Sequence, residues 1–548
     1  MSLHPRVLGE VPEQTAEVAR LAFPKGCLCM RIREVLGPLF RDQDFAELYP
    51  RRGQPAWPPH QLALVSVLQF VEGLSDRQAA AAVRARIDWK FLLGLELTDP
   101  GFDHSLLTEF RDRNLAGGSP ERLLDLVLER LRAVDLLKRP GGQRTDSTHV
   151  LAAVRRLNRL ELTAEQLRAA LNALAAAAPE WLVESVPVDW FDRYGRRIED
   201  YRLPRGERAR TEYGERTGAD GPRLMAAVHA PDTPAWLRQL PAVETLRTVW
   251  IQQFWVDDGQ ARMREPKNMP PCHYRVESPY DPQARYSIKR AVDWSGYKVH
   301  LTETCDPGAP HLITHVATTV ATVTDVEMTR PVHADLAAVG LLAGEHFVDR
   351  GYVSANLLAT SRSEYQVELV GPVRHDVTWQ GRAGEGFDVD GFVIDWDAQQ
   401  AICPQGHHST GWRPHRQRPD YVQSLVTFDP KHCTPCPVRA KCTRSANSPR
   451  KLALGPREEH EVIRRVRQAQ QTPQRQQHFN IRAGIEGTIG QGLRRCDLRG
   501  SRYRSLDKTR FQHVLTAAAL DFLRIDAWLT GIPLATTRAS RFARLRPG

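Results

Sequence analysis

Short apolar runs alternate with helical segments through the middle of this chain, and this alternation constrains its fold most strongly. Strands are predicted at 143–150, 297–304, 311–322, 346–349 and 367–372, and helices at 324–339 and 354–362 separate the last three of them. The first three strands can pair as antiparallel neighbours, whereas the later two are reached through crossover helices. The pattern therefore predicts an α/β protein with a mixed sheet.

Two stretches interrupt the sheet pattern. One has a Leu- and Ala-rich helix at 163–177, followed over 186–222 by Arg, Tyr, Gly and Pro that predict loops and short helices; the other contains a cysteine cluster. We therefore divide the chain into a helical N-terminal domain (1–138), a first core strand (139–150), a helical insert (151–290), the core (291–373), a cysteine-cluster insert (374–457), C-terminal core helices (458–530) and a basic tail (531–548).

The N-terminal region contains a helix pair of a kind common in DNA-binding proteins. A helix at 60–71 is predicted to end at Gly73, and Ser75 and Gln78 have the spacing of a capping box that begins the next helix. A tight turn between short helices suits a helix-turn-helix, although helix pairs are also the commonest packing unit of any α-domain. In the first case three arginines would face phosphates: Arg77, Arg84 and Arg86.

Positive charge is concentrated at the C-terminal end. Residues 481–548 carry 13 Lys and Arg against 5 Asp and Glu, which accounts for +8 of the net charge of +10. Such a segment attracts polyanions, of which nucleic acid is the commonest, but it also fits a solubilising tail. The sequence has no run of 18 apolar residues and no signal-peptide pattern, so we expect a soluble, non-exported protein.

Two acidic residues follow predicted strands, and a third lies on a C-terminal helix. We interpret Asp146 and Asp349 as lying at or just past strand ends, while Glu486 follows Arg482 by one helical turn. Ile489 and Leu493 continue the helix face of Glu486 as an apolar stripe, so we expect this acid to point toward the body of the fold. Carboxylates that converge at the edge of a sheet can share a divalent cation such as Mg²⁺. Each acid also fits a simple capping role. Three further acids compete for the same role: Asp257, Asp258 and Asp325.

Four of the nine cysteines lie within forty residues. Cys433, Cys436 and Cys442 form a C-x2-C-x5-C pattern, and Cys403 lies upstream in a predicted turn. Four thiolates would make a closed, structural Zn²⁺ site, in which a nearby histidine could replace one ligand. Free thiols and an iron–sulfur cluster are the alternatives. The candidate histidines are His407, His408 and His432.

Several blocks in one order resemble bacterial insertion-sequence transposases of the acidic-triad (DDE) kind. The nearest family is the one numbered eleven-eighty-two, related to the IS-five group, and the resemblance covers nearly the whole chain. The blocks are Asp-Ser-Thr-His (146–149), Tyr-Lys-Val-His-Leu-Thr-Glu-Thr (297–304), Val-Asp-Arg-Gly-Tyr (348–352) and Arg-Ala-Gly-Ile-Glu-Gly-Thr (482–488), with supporting segments at 102–111, 278–281 and 284–286.

The resemblance implies an RNase H-like core in which Asp146, Asp349 and Glu486 are the catalytic acids and hold Mg²⁺ or Mn²⁺. It also implies double-stranded DNA as the partner, both as inverted-repeat ends and as target, with a homodimer bringing two ends together in the bacterial cytoplasm at the nucleoid. Two metal ions held by three carboxylates suit cleavage and strand transfer, which are the same displacement at phosphorus with different nucleophiles.

The match to the related Tyr-x2-Arg-x3-Glu-x6-Lys motif is incomplete. Phe479 stands at the Tyr position and Leu493 at the Lys position, with Arg494 one residue further on, whereas Arg482 and the Glu carry over. We expect Arg482, Arg494 and the adjacent Arg495 to contact DNA. Arg350 stands where a small residue is usual and would crowd the site if it turned inward.

Two other residues and two other functions stay open. Lys298 and His300 lie on an alternating strand, where they contact phosphate or face solvent, and solvent is favoured. One alternative function is a nuclease on the same core that does not join ends. The other is a non-catalytic DNA-binding protein derived from a transposase, against which the presence of all three acids weighs.

Overall fold

In the computed structural model, the described residues are 2–6, 9–289, 291–419, 421–533, 542 and 545. Most of the basic tail predicted at 531–548 lies outside them. None of the helices in these ranges is long and apolar enough to cross a membrane.

The N-terminal region is helical, as predicted. Gly73 ends the third helix in the left-handed conformation, and the side chains and backbone N–H groups of Ser75 and Gln78 form the predicted capping box. The helices are α1 (Glu13–Ala22), α2 (Leu28–Leu36), α3 (Pro59–Glu72), α4 (Asp76–Ala85), α5 (Ile87–Leu93), α6 (Ser105–Ala116) and α7 (Arg122–Ala133).

The first core strand and the insert follow. Residues 186–222 were expected to form loops and short helices, but a 22-residue helix occupies much of this stretch, with Pro222 inside it. Its glycines allow close packing, since a Cβ on Gly218 or Gly221 would overlap the rings of Phe254 and Trp250. The elements are β1 (Gly142–Leu151), α8 (Arg159–Ala177), α9 (Pro179–Ser185), α10 (Asp189–Tyr194), α11 (Glu207–Val228), α12 (Pro241–Gln253), β2 (Phe254–Asp257) and β3 (Gln260–Met263).

The main sheet is mixed, as predicted. Its elements are β4 (Arg285–Lys289), β5 (Val292–Thr304), β6 (Ile313–Val320), α13 (Asp325–Ala338), β7 (Glu345–Val348), α14 (Ala355–Tyr365) and β8 (Glu368–Val370). One edge of the long β5 pairs with β1 and the other edge pairs first with β4 and then with β6, all antiparallel. β7 and β8 continue beyond β1 in parallel. This arrangement puts β1 at the centre.

The cysteine-containing segment forms small sheets of its own. Its elements are α15 (Trp379–Ala383), β9 (Val393–Asp395), β10 (Gln400–Ile402), β11 (Ser409–Arg418), β12 (Tyr421–Phe428), α16 (Pro430–Cys433), α17 (Arg439–Cys442) and β13 (Lys451–Leu454). β11, β12 and β13 pair in order, and β9 pairs with β10. A separate apolar cluster around Phe392 and Val426 supports them.

Four helices complete the described chain: α18 (Arg457–Ala469), α19 (Pro473–Phe479), α20 (Gly484–Cys496) and α21 (Leu506–Leu529). α21 packs on both the N-terminal helices and β6. As a result, one continuous apolar cluster includes residues of α3, β5 and α21, such as Leu64, Val299 and Leu515. The N-terminal helices and the sheet therefore share a core.

Candidate active site

β1 and β7 bring two of the predicted acids side by side. Thr145 on β1 pairs with Val348 on β7, so the next residues along the strands, Asp146 and Asp349, are neighbours. Adjacent strands lie about 4.8 Å apart. β7 ends at Val348 and β1 continues, so both carboxylates lie where the parallel pairing stops.

The third predicted acid reaches Asp146 through an arginine. Arg482 lies in a short 3₁₀ turn just before α20, and its Nη1 donates to Asp146 Oδ2 at 2.9 Å. Its Nη2 donates to Glu486 Oε1 at 2.8 Å. The Asp146 side chain is 14% exposed, whereas that of Glu486 is 63% exposed. The expectation that Glu486 points into the body of the fold is therefore wrong, because its carboxylate lies at the rim.

One face of α20 is anchored to the sheet. Ile485 and Thr488 are buried, and Ile489 is nearly so. Glu486 follows Ile485 on the helix, and the predicted apolar stripe through Ile489 is confirmed. Gly484 begins the helix against Arg144 of β1, whose guanidinium a Cβ there would overlap. Arg144 also donates to the backbone carbonyl of Ile481 at 3.0 Å.

A buried carboxylate holds this junction together. Glu303 on β5 is fully buried and accepts from Arg144 Nε at 2.6 Å. Arg524 of α21 and the Thr488 hydroxyl of α20 donate to its other oxygen. Burial alone would raise the pKa of Glu303, but the charges of Arg524 and Arg144 lower it below its ordinary value. Glu303 thereby joins β1, α20 and α21, and sets where Glu486 lies.

The surroundings of Asp146 disfavour its ionised form. Burial raises the pKa of Asp146, as does the neighbouring carboxylate of Asp349, and the Ser147 N–H and Arg482 oppose this only in part. Burial alone would lower the pKa of Arg482, but its bonds to Glu486 and Asp146 outweigh burial and raise the pKa above its ordinary value. The guanidinium therefore stays charged. An additional cation between the strands would stabilise ionised Asp146.

The opposite face of β1 has a different ion pair. Asp325, at the start of α13, accepts from Lys298 at 3.1 Å and from the Ser147 hydroxyl at 2.9 Å, and Lys289 lies 3.6 Å away. Lys298 is buried and also donates to the Val323 carbonyl. Asp325 is thus paired on the face that Ser147 occupies, rather than beside Asp146.

The expectation that Lys298 and His300 face solvent is wrong, because β5 is a central strand covered on both sides. His300 is fully buried, and its Nδ1 lies 2.7 Å from the Tyr352 hydroxyl. Burial lowers the pKa of His300 to about 3, so the ring is neutral. These groups form the packed layer behind the site.

The remaining neighbours do not crowd the acids. Arg350 is exposed and directed outward, so the crowding that its position suggested does not arise. Asp257 and Asp258 lie in the β2–β3 hairpin of the insert, where Asp257 pairs with Arg262 at 3.2 Å. The β2–β3 hairpin is a sheet separate from the one that holds Asp146.

The three acids have the chemistry to bind a divalent cation, but they are not arranged around one point. Asp146, Asp349 and Glu486 offer only carboxylate oxygens, which hard cations prefer. In the described part of the chain, no group of three or more His, Cys, Asp and Glu is placed to hold a metal ion. Arg482 instead supplies the positive charge between Asp146 and Glu486.

Four candidate DNA-contacting arginines are exposed: Arg77, Arg84, Arg494 and Arg495. Arg84 donates to the Pro100 carbonyl at 3.0 Å. Arg86, by contrast, pairs with Glu72 and Asp88 and is not available to phosphates. Of the three arginines expected to face phosphates on this helix pair, Arg77 and Arg84 are exposed and Arg86 is paired.

The turn between α3 and α4 faces the C-terminal end of α20. A groove there is lined by Leu74 and Ser75 on one side and by Arg494 and Arg495 on the other. Arg502 joins the two walls, since its Nη1 donates to the Leu74 carbonyl at 2.8 Å. The helix that carries Glu486 at its start therefore ends beside the N-terminal helix pair.

The four clustered cysteines line one small cavity. Cys403, Cys433, Cys436 and Cys442 contribute to it, together with three histidines: His407, His408 and His432. Burial raises the pKa of the Cys442 thiol, and Arg450 opposes this change. The three other cysteines raise the pKa further, which agrees with their closeness to Cys442. The predicted zinc at this position stays a prediction.

Sequence reasoning missed the groups that position the acids. Arg144, Glu303 and Arg524 are far apart along the chain, and each could be an ordinary surface charge. The local signal was Glu303, a charged residue within a strand predicted for the core. A charge within such a strand needs a buried partner.

Two family models match parts of the chain. The model described as a transposase DDE domain matches residues 402–525, which include Glu486 and the cysteine cluster. The model described as a transposase domain of the DUF772 type matches residues 18–113 of the helical N-terminal region. No curated protein and no solved structure matches the chain. Together with the site geometry, the two matched segments support an insertion-sequence transposase.

Proposed function

We propose that this protein is a metal-dependent DNA transposase that cuts at the ends of an insertion sequence and joins them to target DNA. The observation that carries the proposal is the placement of Asp146 beside Asp349 on adjacent parallel strands, with Glu486 joined to Asp146 through Arg482. Carboxylates clustered at a sheet edge suit phosphoryl transfer better than any other chemistry that this region offers.

An RNase H-like core and a relationship to family eleven-eighty-two of the IS-five group are part of the same proposal. The mixed sheet, in which β5, β1 and β7 are neighbours, supports it, as do the acids on β1 and after β7. Such a protein would act on double-stranded DNA at the bacterial nucleoid. It would do so as a homodimer, because two DNA ends must be brought together.

The three acids would hold Mg²⁺ or Mn²⁺. When bound, the metal supplies Lewis-acid stabilisation of the charge that develops on the phosphoryl oxygens. The chain's own contribution is to keep Asp146 and Asp349 adjacent and to carry Glu486 on a helix fixed by Glu303. Arg482 holds Asp146 and Glu486 together and is placed to contact a phosphate when DNA is bound.

Phosphate contacts are proposed for the groove between the α3–α4 turn and α20. Arg77, Arg494 and Arg495 are exposed at or near it, and Arg84 lies about two turns further along α4. Since α20 runs from the acids to this groove, DNA held there would reach the acids along the helix. Phosphate contacts of this kind give position and affinity without reading sequence.

Zn²⁺ is proposed for the cysteine cavity, as a structural ion. Thiolates are strong zinc ligands, and four of them line one small cavity in a segment with little apolar core of its own. The described geometry is not that of a formed metal site. Zinc binding would draw the thiols together and stabilise this segment.

The test substitutes the acids one at a time, as Asp146→Asn, Asp349→Asn and Glu486→Gln. Each variant should bind a duplex carrying the end of the element while losing cleavage by at least about a thousandfold. Asp397→Asn, at an exposed carboxylate outside the site and the groove, is the control and should cleave normally. Full cleavage by any one acid variant would remove that residue from the site.

The same assay separates the alternatives. A transposase joins the cut 3′ end to a target, whereas a nuclease leaves only cleaved ends. A non-catalytic derivative binds but does not cut in Mg²⁺ or Mn²⁺. Joined products from the native protein support the proposal, and either of the other two results contradicts it.

A further inference from the structure

Just beyond the end of β1 lies a pocket to which four arginines contribute. The pocket lies between the loop after β1, helix α8 of the insert and the turn before α21, and its volume is about 250 Å³. Its lining consists of Ala153, Val154, Arg155, Leu157, Glu165, Arg168, Arg197, Tyr280 and Arg504. Four cationic groups thus converge on one concavity that holds a single carboxylate.

That carboxylate is fully engaged within the protein. Glu165 is buried and accepts from Arg168, from the Tyr280 hydroxyl at 2.6 Å and from the Ile198 N–H at 3.0 Å. Burial would raise the pKa of Glu165, but the bonds from Arg168 and Tyr280 lower it, so the carboxylate is ionised and paired. Glu165 fixes Arg168 and leaves the other three arginines to the pocket.

Arg155 is held in place but keeps a donor unused. Its Nη1 bonds Glu161, and its Nη2 donates to the Ile198 carbonyl at 2.6 Å. Its Nε is buried and has no hydrogen-bond partner among the described residues. Because its terminal nitrogens are bonded within the protein, Arg155 contributes mainly its positive charge to the pocket.

The other two arginines are exposed and weakly neutralised. Arg197 lies 3.8 Å from Glu199, at the limit of an ion pair, and its side chain is 57% exposed. Arg504 lies over the Tyr280 ring at 5.2 Å and has no carboxylate within ion-pair distance in the described part of the chain. Stacking on Tyr280 holds this guanidinium at the pocket mouth.

We propose that this arginine pocket binds a phosphate group of the DNA backbone. Guanidinium groups present paired donors that match phosphate oxygens, and several of them around one cavity favour a multiply charged anion. The inference rests on the proposed function, because it names a second contact for the same DNA.

The position of the pocket suits that substrate. Ala153 lies seven residues beyond Asp146, and β1 is extended from Asp146 to Leu151. At about 3.3 Å per residue the two places are roughly 23 Å apart. A duplex rises 3.4 Å per base pair, so its backbone covers that separation in about seven base pairs. One DNA duplex is therefore long enough to reach both places.

The experiment compares the double variant Arg197→Gln/Arg504→Gln with Arg208→Gln/Arg223→Gln. Neither Arg197 nor Arg504 belongs to a buried ion pair, so the variant should fold. An unchanged melting temperature would verify this. The control removes two exposed charges from α11 of the same insert, outside the pocket. Binding of a 40-base-pair duplex is measured from 50 to 300 mM salt, and binding of inorganic phosphate by calorimetry.

The pocket variant should lose at least tenfold in DNA affinity at 150 mM salt. The slope of log affinity against log salt should become shallower by about one, because each phosphate contact contributes roughly 0.9. The loss should be equal for element-end and unrelated duplexes, and the control should behave as the native protein does.

Three results would overturn the inference or redirect it. If the pocket variant bound DNA with the affinity and salt slope of the native protein, the inference would be overturned. The proposed function would survive that result as long as the native protein cleaves DNA. Inorganic phosphate that binds only the native protein without weakening DNA binding would assign the pocket to a free anion and contradict the DNA assignment. Failure of the native protein to bind DNA at any salt would instead count against the proposed function.

Discussion

Arg144 and Glu303 form a buried ion pair of 2.6 Å across β1 and β5, and the C-terminal helices close on the same carboxylate. This pair is the point at which the strand of Asp146 and the helix of Glu486 are joined. The proposed arrangement of the three acids therefore depends on Glu303, which has no role of its own in the chemistry.

Glu303→Gln should destabilise the protein strongly, because Arg144 and Arg524 would lose their buried counter-charge. Removing one partner of a buried pair costs about 3–5 kcal/mol. Thermal unfolding would measure the change against Glu364→Gln, which breaks an exposed pair with Arg330 and should cost about 1 kcal/mol or less. Equal melting temperatures for the two variants would show that the network carries no stability.

Two glycines of α20 should respond oppositely to alanine. Gly484→Ala places a Cβ on the guanidinium of Arg144, so either that side chain or the start of α20 must shift. Because Glu303 and the Ile481 carbonyl hold Arg144, we expect the helix to move and Glu486 with it, and cleavage to fall at least about tenfold. Gly487 has open space around it, so Gly487→Ala should leave cleavage intact and stabilise the helix by up to about 1 kcal/mol. Cleavage rates and melting temperatures of both variants test this, and normal cleavage by Gly484→Ala would contradict the positioning argument.

Asp146→Asn should raise the melting temperature in metal-free buffer at pH 7. Since burial raises the pKa of Asp146, its ionised form costs stability in the folded protein above that pKa, and the cost disappears as pH falls through it. The difference between variant and native protein should therefore shrink toward acidic pH. Asp397→Asn, at an exposed carboxylate, is the control. A variant less stable than the native protein at pH 7 would mean that Arg482 outweighs burial.

Purified protein should contain about one zinc ion per chain, and Cys436→Ser should lose it. Chelation should lower the melting temperature of the native protein, because metal binding and folding of the segment are coupled. Cys272→Ser is the matched control, since Cys272 is exposed and lies outside the cavity. Metal analysis gives the stoichiometry, and a native protein without zinc whose four thiols react freely would refute the assignment.

Local patterns in the sequence were enough to locate the main elements. The strand predicted at 143–150 is β1 at Gly142–Leu151, and the helix predicted at 324–339 is α13 at Asp325–Ala338. Strands and helices of this kind are specified by their own periodicity and caps, which explains the agreement. The interpretation that Asp146 lies at a strand end is wrong, because β1 continues to Leu151; Asp349 is its neighbour because β7 ends at Val348, opposite Thr145.

The failures share a cause, which is tertiary contact. Alternation along β5 suggested one solvated face, yet Lys298 and His300 are buried because strands and helices cover both sides. The glycines that suggested loops before Trp250 instead allow α11 to pack closely. The elements that bury these residues are distant from them in sequence, so no local pattern could reveal the contacts.

The core shared by the N-terminal helices, the sheet and α21 has a consequence for how such a protein can diversify. Val514 and Phe522 of α21 are fully buried in the cluster that also holds Leu68 and Phe70 of α3. A copy that lost or exchanged residues 18–113 would leave much of that apolar surface in water. The N-terminal segment and the sheet therefore share one folding core, and any substitute for residues 18–113 would have to present a matching apolar face to α21.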